Sequence, residues 1–261
     1  MKPKKLSFHP KLGAVLDLFF GLIFWWTMSG VKNIWWLAIW FVARLVLWLA
    51  LIYLVPYVYG LRRLYHFLTL GIFLLGATAL LLFMEWSSAW RLVGVLFAVM
   101  PAVSFWLLPP TAVQPSFVLK PFRRWRLVMS NFGIFGIWAG VFALITLNIF
   151  RLNFGWWLLA GTLISVWVAY LWCREYGISR SRSLGHALAV LAFIIGELAY
   201  VLAIWPIGYF ASGFLMFWFW YIIWIMIRFY LSPTGINWKK QVYFLASNGI
   251  LILIFLIFII R

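Results

Sequence analysis

Two ionisable residues fall deep inside long apolar stretches of the sequence, where a charge is hardest to accommodate. Arg44 lies ten residues into the apolar stretch 34–58, and Glu197 lies ten residues into the stretch 187–205. At about 1.5 Å of rise per helical residue, each is roughly 15 Å from one end of its stretch, near the middle of a bilayer. Charged side chains at that depth are costly and are candidate functional residues by default.

Arg44 and Glu197 approach the predicted midplane from opposite ends, and we therefore expect them to meet as a buried ion pair. One interpretation is a substrate or proton site at the midplane, where carriers often bind their substrates. The interpretation that we favour is a structural salt bridge between two helices, because buried ion pairs also occur in purely structural roles. Asp17 is a weaker candidate partner for Arg44, since it lies only about 7 Å from the start of its helix.

Five further residues that could bind a metal or transfer a proton fall near one predicted membrane face: His9, His66, Cys173, Glu175 and His186. A site built from them would act on lipid headgroups or on a cytosolic substrate. Their spacing matches no compact motif, because the sequence has no H-E-x-x-H and no second cysteine. We interpret them as polar residues solvated at the interface, and we predict no catalytic, cofactor-binding or metal-ligating residue and no cofactor.

The composition decides the class of protein that must position these residues. Of the 261 residues, 67% are hydrophobic and only 10% are charged, against roughly 25% charged in an ordinary soluble domain. Such a chain could not cover its own surface in water, which excludes a soluble globular protein. A transmembrane β-barrel is also excluded, because it needs alternating apolar and polar residues and the apolar stretches here are nearly continuous.

Hydropathy predicts an all-α protein, a polytopic transmembrane bundle of about nine helices that forms one membrane domain over residues 1–261 with no soluble domain. Each stretch is close to the 20 residues that cross a bilayer as a helix. The predicted spans are 12–29, 34–58, 64–84, 92–108, 127–149, 155–172, 187–205, 209–227 and 242–260.

The basic residues are distributed unevenly between the two sides of these predicted spans. Sixteen of the 21 Lys and Arg residues fall on the side of the N-terminus, four fall on the other side, and Arg44 lies within a span. The positive-inside rule then predicts a cytoplasmic N-terminus and an external C-terminus in a plasma membrane of the prokaryotic type. We attribute the net charge of +17 to contact with anionic lipid headgroups, and we expect no nucleic-acid partner.

Small residues recur at helical spacing in two of the spans. They let helices approach closely in lipid, so we expect the fifth and seventh spans to be inner helices of the bundle. The residues are Gly133, Gly136, Gly140 and Ala143 in the fifth span, and Gly185, Ala189, Ala192, Gly196, Ala199 and Ala203 in the seventh span and its approach.

The longest connection, residues 109–126, combines four prolines with a basic and aromatic end. Prolines make an irregular segment, and we expect Arg123, Arg124 and Arg126 to lie on the membrane surface in contact with anionic headgroups. Docking of a cytosolic protein is the alternative for this segment.

The function predicted from the sequence is a non-enzymatic membrane-embedded subunit or scaffold that works through its helix faces, with a membrane or cytosolic protein as partner. The first alternative is a small transporter that uses the Arg44 and Glu197 pair at the midplane. The second is an enzyme that acts on a lipid-linked substrate at the cytoplasmic face, which would require His66, His186 and Asp17 to lie close together.

Overall fold

A computed structural model describes residues 8–28, 34–55, 60–108, 120–149, 153–232 and 235–260. Within these ranges the chain forms nine α-helices and no strand. All nine helices are long and apolar enough to cross a membrane, which confirms their predicted number and type. They are α1 (Pro10–Met28), α2 (Ile34–Leu54), α3 (Gly60–Phe83), α4 (Ser87–Trp106), α5 (Lys120–Thr146), α6 (Phe154–Glu175), α7 (Arg182–Ile204), α8 (Tyr209–Tyr230) and α9 (Trp238–Ile260).

Several helices begin earlier than hydropathy predicts. α5 begins at Lys120 rather than at residue 127, and α7 begins at Arg182 rather than at residue 187. Hydropathy detects only the apolar part of a helix, whereas the backbone continues to form helical hydrogen bonds through basic residues, whose long side chains extend toward water. Arg123, Arg124 and Arg126 therefore belong to the first two turns of α5, and residues 109–119 lie outside the described residues.

The chain divides into two compact units, Met1–Gly133 and Ile134–Arg261. The first unit contains α1 to α4 and the N-terminal half of α5. The second unit contains the C-terminal half of α5 and α6 to α9. The single membrane domain expected from the sequence stays a prediction.

Close helix packing in the first unit depends on glycines that lie opposite large or backbone neighbours. A Cβ atom at Gly21 of α1 would be 2.8 Å from the Cα atom of Ala98 in α4. One turn further along α1, the rings of Phe24 and Phe97 stack with their centroids 4.6 Å apart. Hydrophobic burial does not drive association in lipid, so van der Waals packing at this close contact favours the pairing of α1 with α4.

In the second unit the C-terminal half of α5 packs against α6 and α8. A Cβ atom at Gly213 of α8 would be 2.5 Å from the backbone nitrogen of Ala139. The indole of Trp138 covers Gly161 of α6, where a Cβ atom would be 2.9 Å from the ring. The Nε1–H group of Trp138 also donates a hydrogen bond of 2.9 Å to Ser165 Oγ.

The expectation for the two helices rich in small residues is half confirmed. In α5 Gly133, Gly136 and Gly140 are buried, as expected of an inner helix. In α7 Gly185 and Ala189 are exposed and Ala199 is buried, and a Cβ atom at Gly185 or Gly196 would meet nothing within 4 Å. The prediction that α7 is an inner helix is therefore wrong around Gly185 and Gly196, because small residues allow a close helix contact without determining whether a neighbouring helix is there.

Candidate functional site

The charged residue at the centre of α2 is paired with α1. The Nη2 atom of Arg44 lies 3.4 Å from both carboxylate oxygens of Asp17. The carboxylate also accepts a hydrogen bond of 2.6 Å from the Nε1–H group of Trp48. Both charged side chains are almost completely buried, with 1% of Arg44 and none of Asp17 exposed.

Aromatic rings and a glycine enclose this ion pair. The Cζ atom of Arg44 is 4.4 Å from the ring centroid of Phe97 and 5.0 Å from that of Trp48, distances at which a cation is attracted to a ring. Gly21 makes room for the guanidinium group, since a Cβ atom there would be 3.0 Å from Arg44 Nη2. The pair therefore connects α1, α2 and α4 through a contact that neighbouring side chains enclose.

Asp17, which the depth argument ranked as the weaker partner, is the residue that binds Arg44. Depth was measured at the backbone, but a long arginine side chain can extend away from the depth of its own backbone toward one end of the helix. Trp48 lies one turn beyond Arg44 on the same face of α2 and binds the same carboxylate.

Glu197 lies on an exposed face of α7 in the second unit. No hydrogen bond or ion pair of Glu197 is found among the residues that the structure describes. Its neighbour Gly196 borders open space. The expected pairing of Arg44 with Glu197 would join the two units and stays a prediction.

His66 of α3 takes part in a second buried polar contact of the first unit. Its Nε2 atom is 2.9 Å from Ser104 Oγ, and Ser104 in turn donates a hydrogen bond of 2.6 Å to the carbonyl oxygen of Pro101. Because the hydroxyl proton is used by that carbonyl, the serine oxygen accepts from His66, which requires a proton on Nε2. The imidazole is packed between the rings of Phe105 and Phe122, at centroid distances of 5.0 and 5.2 Å.

The other residues considered for metal or acid–base chemistry do not form a group. Cys173 is buried, His186 is exposed on α7 and Glu175 is partly buried. Within the described part of the chain, no three His, Cys, Asp or Glu side chains are placed to hold a metal ion. Asp17 and His66 have separate sets of partners inside the first unit.

The three arginines at the start of α5 differ in exposure. Arg124 is exposed and Arg123 is partly buried. Arg126 is buried, and its Cζ atom lies 5.1 Å from the ring centroid of Phe122. This burial argues against a direct headgroup contact by Arg126, whereas such contacts by Arg123 and Arg124 stay a prediction.

Sequence reasoning missed a polar cavity of about 680 Å³ where α6 ends, α7 begins and α8 ends. We call it the serine pocket, and its polar side chains are those of Tyr176, Ser179, Ser181, Ser183, Arg228, Tyr230 and Ser232. The Cζ atom of Arg228 lies over the ring of Tyr176, 3.7 Å from its centroid. The alternation of serine and arginine over residues 179–183 was the available signal, and charge counting used only its arginines.

A second cavity of about 400 Å³ adjoins the serine pocket. We call it the apolar groove, because five of its eight lining residues are aliphatic or Met: Ala187, Val190, Met226, Ile227 and Ile236, with Ser183, His186 and Tyr230 as the other three. Ser183 and Tyr230 line both cavities, so the groove continues from the pocket along the two helices.

Comparison of the chain with protein-family models, with curated proteins and with solved structures finds no match. The function has to be argued from the chain's own residues.

Proposed function

We propose that this chain is a multi-pass protein of a prokaryotic-type plasma membrane, with its N-terminus in the cytoplasm and its C-terminus outside. We further propose that it is a non-enzymatic subunit that binds another membrane protein through the exposed face of α7. Nine helices of membrane-spanning length and the uneven distribution of basic residues support the membrane location.

The observation that carries the proposed role is the position of Glu197. It lies in an apolar helix of 23 residues, seven positions before the last residue, Ile204, and it is exposed. An acidic side chain that faces hydrocarbon at such a depth costs about 3 kcal/mol. A partner helix that offers a basic or hydrogen-bonding side chain at the same depth would offset this cost, and the open space at Gly196 lets such a helix come close.

The sealed environment of Arg44 favours a structural role over transport. A carrier would need a cavity that water and substrate can reach around this residue. Arg44 is closed off by Asp17, Trp48 and Phe97. Neither Arg44 nor Glu197 lines the serine pocket or the apolar groove.

Site-specific photocrosslinking of the full chain in native membranes tests this role. Phe193 lies one turn before Glu197 on the same face of α7 and is 66% exposed, so a benzophenone amino acid there would report on a bound partner. Phe258 of α9, which is 77% exposed, is the control position. We expect one defined protein adduct from position 193 and only lipid adducts from position 258.

A substitution at Glu197 then tests whether the adduct from position 193 depends on this residue. Glu197→Leu should abolish the adduct from position 193, whereas Ser247→Leu, which also removes an exposed polar side chain from a membrane helix, should leave it unchanged. Lipid adducts alone at position 193, or an adduct that is insensitive to Glu197→Leu, would refute the proposed role of α7.

A further inference from the structure

We propose that the serine pocket and the apolar groove together bind a phosphate-bearing amphiphile, with its phosphate in the pocket and a hydrocarbon chain in the groove. The inference rests on the membrane location in the proposed function and is independent of the partner of α7. It assigns a ligand to Arg228, which the sequence indicated only as a determinant of orientation.

The charge of the serine pocket suits an anion. Arg228 lines the pocket, and none of its described lining residues is acidic. Its Cζ atom lies 3.7 Å from the centroid of the Tyr176 ring, a distance at which a cation is attracted to a ring. The planar guanidinium presents a fork of N–H donors, which matches two oxygens of a phosphate group.

Neutral donors complete the anion site. Ser181 is the N-cap of α7, and its Oγ atom accepts a hydrogen bond of 3.2 Å from the backbone nitrogen of Leu184. The hydroxyl proton of Ser181 is therefore left to donate to a ligand. Ser183, in the first turn of this 23-residue helix, lines the same pocket. Backbone N–H groups in a first helical turn have no acceptor inside the helix and favour a phosphate.

The size of the serine pocket indicates more than a bare phosphate ion. Its volume of about 680 Å³ is many times the roughly 30 Å³ that one water molecule occupies in the liquid. It lies in the range of cavities that hold whole small molecules. A phosphate ester with a further polar group attached fits this volume better than inorganic phosphate does.

The apolar groove identifies the ligand as an amphiphile. It begins at Ser183 and Tyr230, which also line the pocket, and it continues between Val190 of α7 and Met226 of α8. The pocket lies at the ends of α6, α7 and α8, where headgroups are found, and the groove follows α7 and α8 toward the hydrocarbon. A free phosphate ester would leave this apolar surface unused.

The test measures the thermal stability of the full-length chain, purified in detergent, against four probes. These are dioleoyl phosphatidylglycerol, dioleoylglycerol without phosphate, glycerol phosphate without chains, and inorganic phosphate. We expect a saturable rise in melting temperature with phosphatidylglycerol and at least tenfold weaker effects of the other three. An equal response to glycerol phosphate or inorganic phosphate would show a site for a water-soluble phosphate and overturn the assignment to an amphiphile.

Matched variants locate the phosphate contact. Arg228→Gln should weaken phosphatidylglycerol binding at least about tenfold, because a charge-assisted hydrogen bond is worth that much. Arg180→Gln removes the same charge from the adjacent exposed segment and should bind as the native chain does. Arg228→Lys keeps the charge without the planar fork, so we expect intermediate affinity. Equal weakening by Arg228→Gln and Arg180→Gln would reduce the effect to surface charge and refute the site.

A second pair of variants locates the hydrocarbon chain. Val190→Trp fills the apolar groove, and Val201→Trp makes the same change outside it on the same helix, with 56% and 55% of the native side chains exposed. Only Val190→Trp should weaken the binding of phosphatidylglycerol. Equal affinity of the two variants for this lipid would refute the placement of the hydrocarbon chain in the groove. Extraction of the native chain from membranes by alkaline carbonate would instead contradict the membrane location. This outcome is distinguishable from a native chain that stays in the membrane and fails to bind the lipid.

Discussion

Breaking the Asp17–Arg44 ion pair from one side should destabilise the chain far more than removing both charges together. Asp17→Asn removes the negative charge and keeps an oxygen that can accept the hydrogen bond from Trp48. Arg44→Met removes the positive charge and keeps an unbranched apolar side chain. The double variant contains neither charge, so no unpaired charge of this ion pair remains buried.

The expected magnitudes follow from the burial of the two side chains. With 1% of Arg44 and none of Asp17 exposed, water cannot solvate the charge that a single substitution leaves behind, and each single variant should lose about 3–5 kcal/mol. We expect the lower end of this range, because an unfolded chain in a membrane also finds polar partners. The double variant should lose only about 1–2 kcal/mol, as an ordinary core substitution does.

Equilibrium unfolding of the full chain in mixed micelles, with increasing sodium dodecyl sulfate and far-UV circular dichroism as the readout, measures these differences. Arg124→Met is the control, because it removes an exposed arginine and should change stability by less than about 0.5 kcal/mol. A double variant as unstable as the sum of the two single variants would show that the charges do not interact, and the structural role of the pair would be refuted.

Two further predictions concern helix packing and orientation. Gly76→Ala should destabilise the chain by about 1–3 kcal/mol in the same unfolding assay, because the new Cβ atom would collide with the backbone of Gly133. The control is Gly185→Ala, which borders open space and should be neutral or stabilising by up to about 1 kcal/mol. Equal effects of the two substitutions would contradict the close approach of α3 and α5. Tags at the two ends of the chain should react with a membrane-impermeant reagent on opposite sides of the membrane, and labelling of both ends from the same side would contradict the proposed topology.

Two buried polar contacts of the first unit stabilise helix pairing in the same way. Asp17 with Arg44, and His66 with Ser104, each place a polar side chain of one helix against a partner on another helix. Where hydrophobic burial no longer favours association, such contacts choose which helices become neighbours. Glu197 of the second unit has no such partner among the described residues, which is why we assign it to contact with another protein.

Sequence reasoning came close to the polar features and misjudged their surroundings. It singled out Arg44 and Asp17 and ranked Glu197 above Asp17 as the partner, because distance along a helix axis is readable while the direction of a side chain is not. It recognised the small residues of α7 and placed them in the interior, whereas the structure buries Ala199 and leaves open space at Gly185 and Gly196. It counted Arg228 as a charge and did not use the serines of residues 179–183, which line the same cavity as Arg228.

The sequence by itself determined that the chain is helical, how many helices it has and which residues are costly to bury, because hydropathy and length are properties of each segment alone. Only the tertiary structure decided that Asp17 binds Arg44, that α7 borders open space at Gly185 and Gly196, and that the serine pocket lies where α6 ends, α7 begins and α8 ends. These features depend on contacts between residues that are far apart in the sequence. The packing of the helices against one another determines such contacts, and no local sequence pattern does.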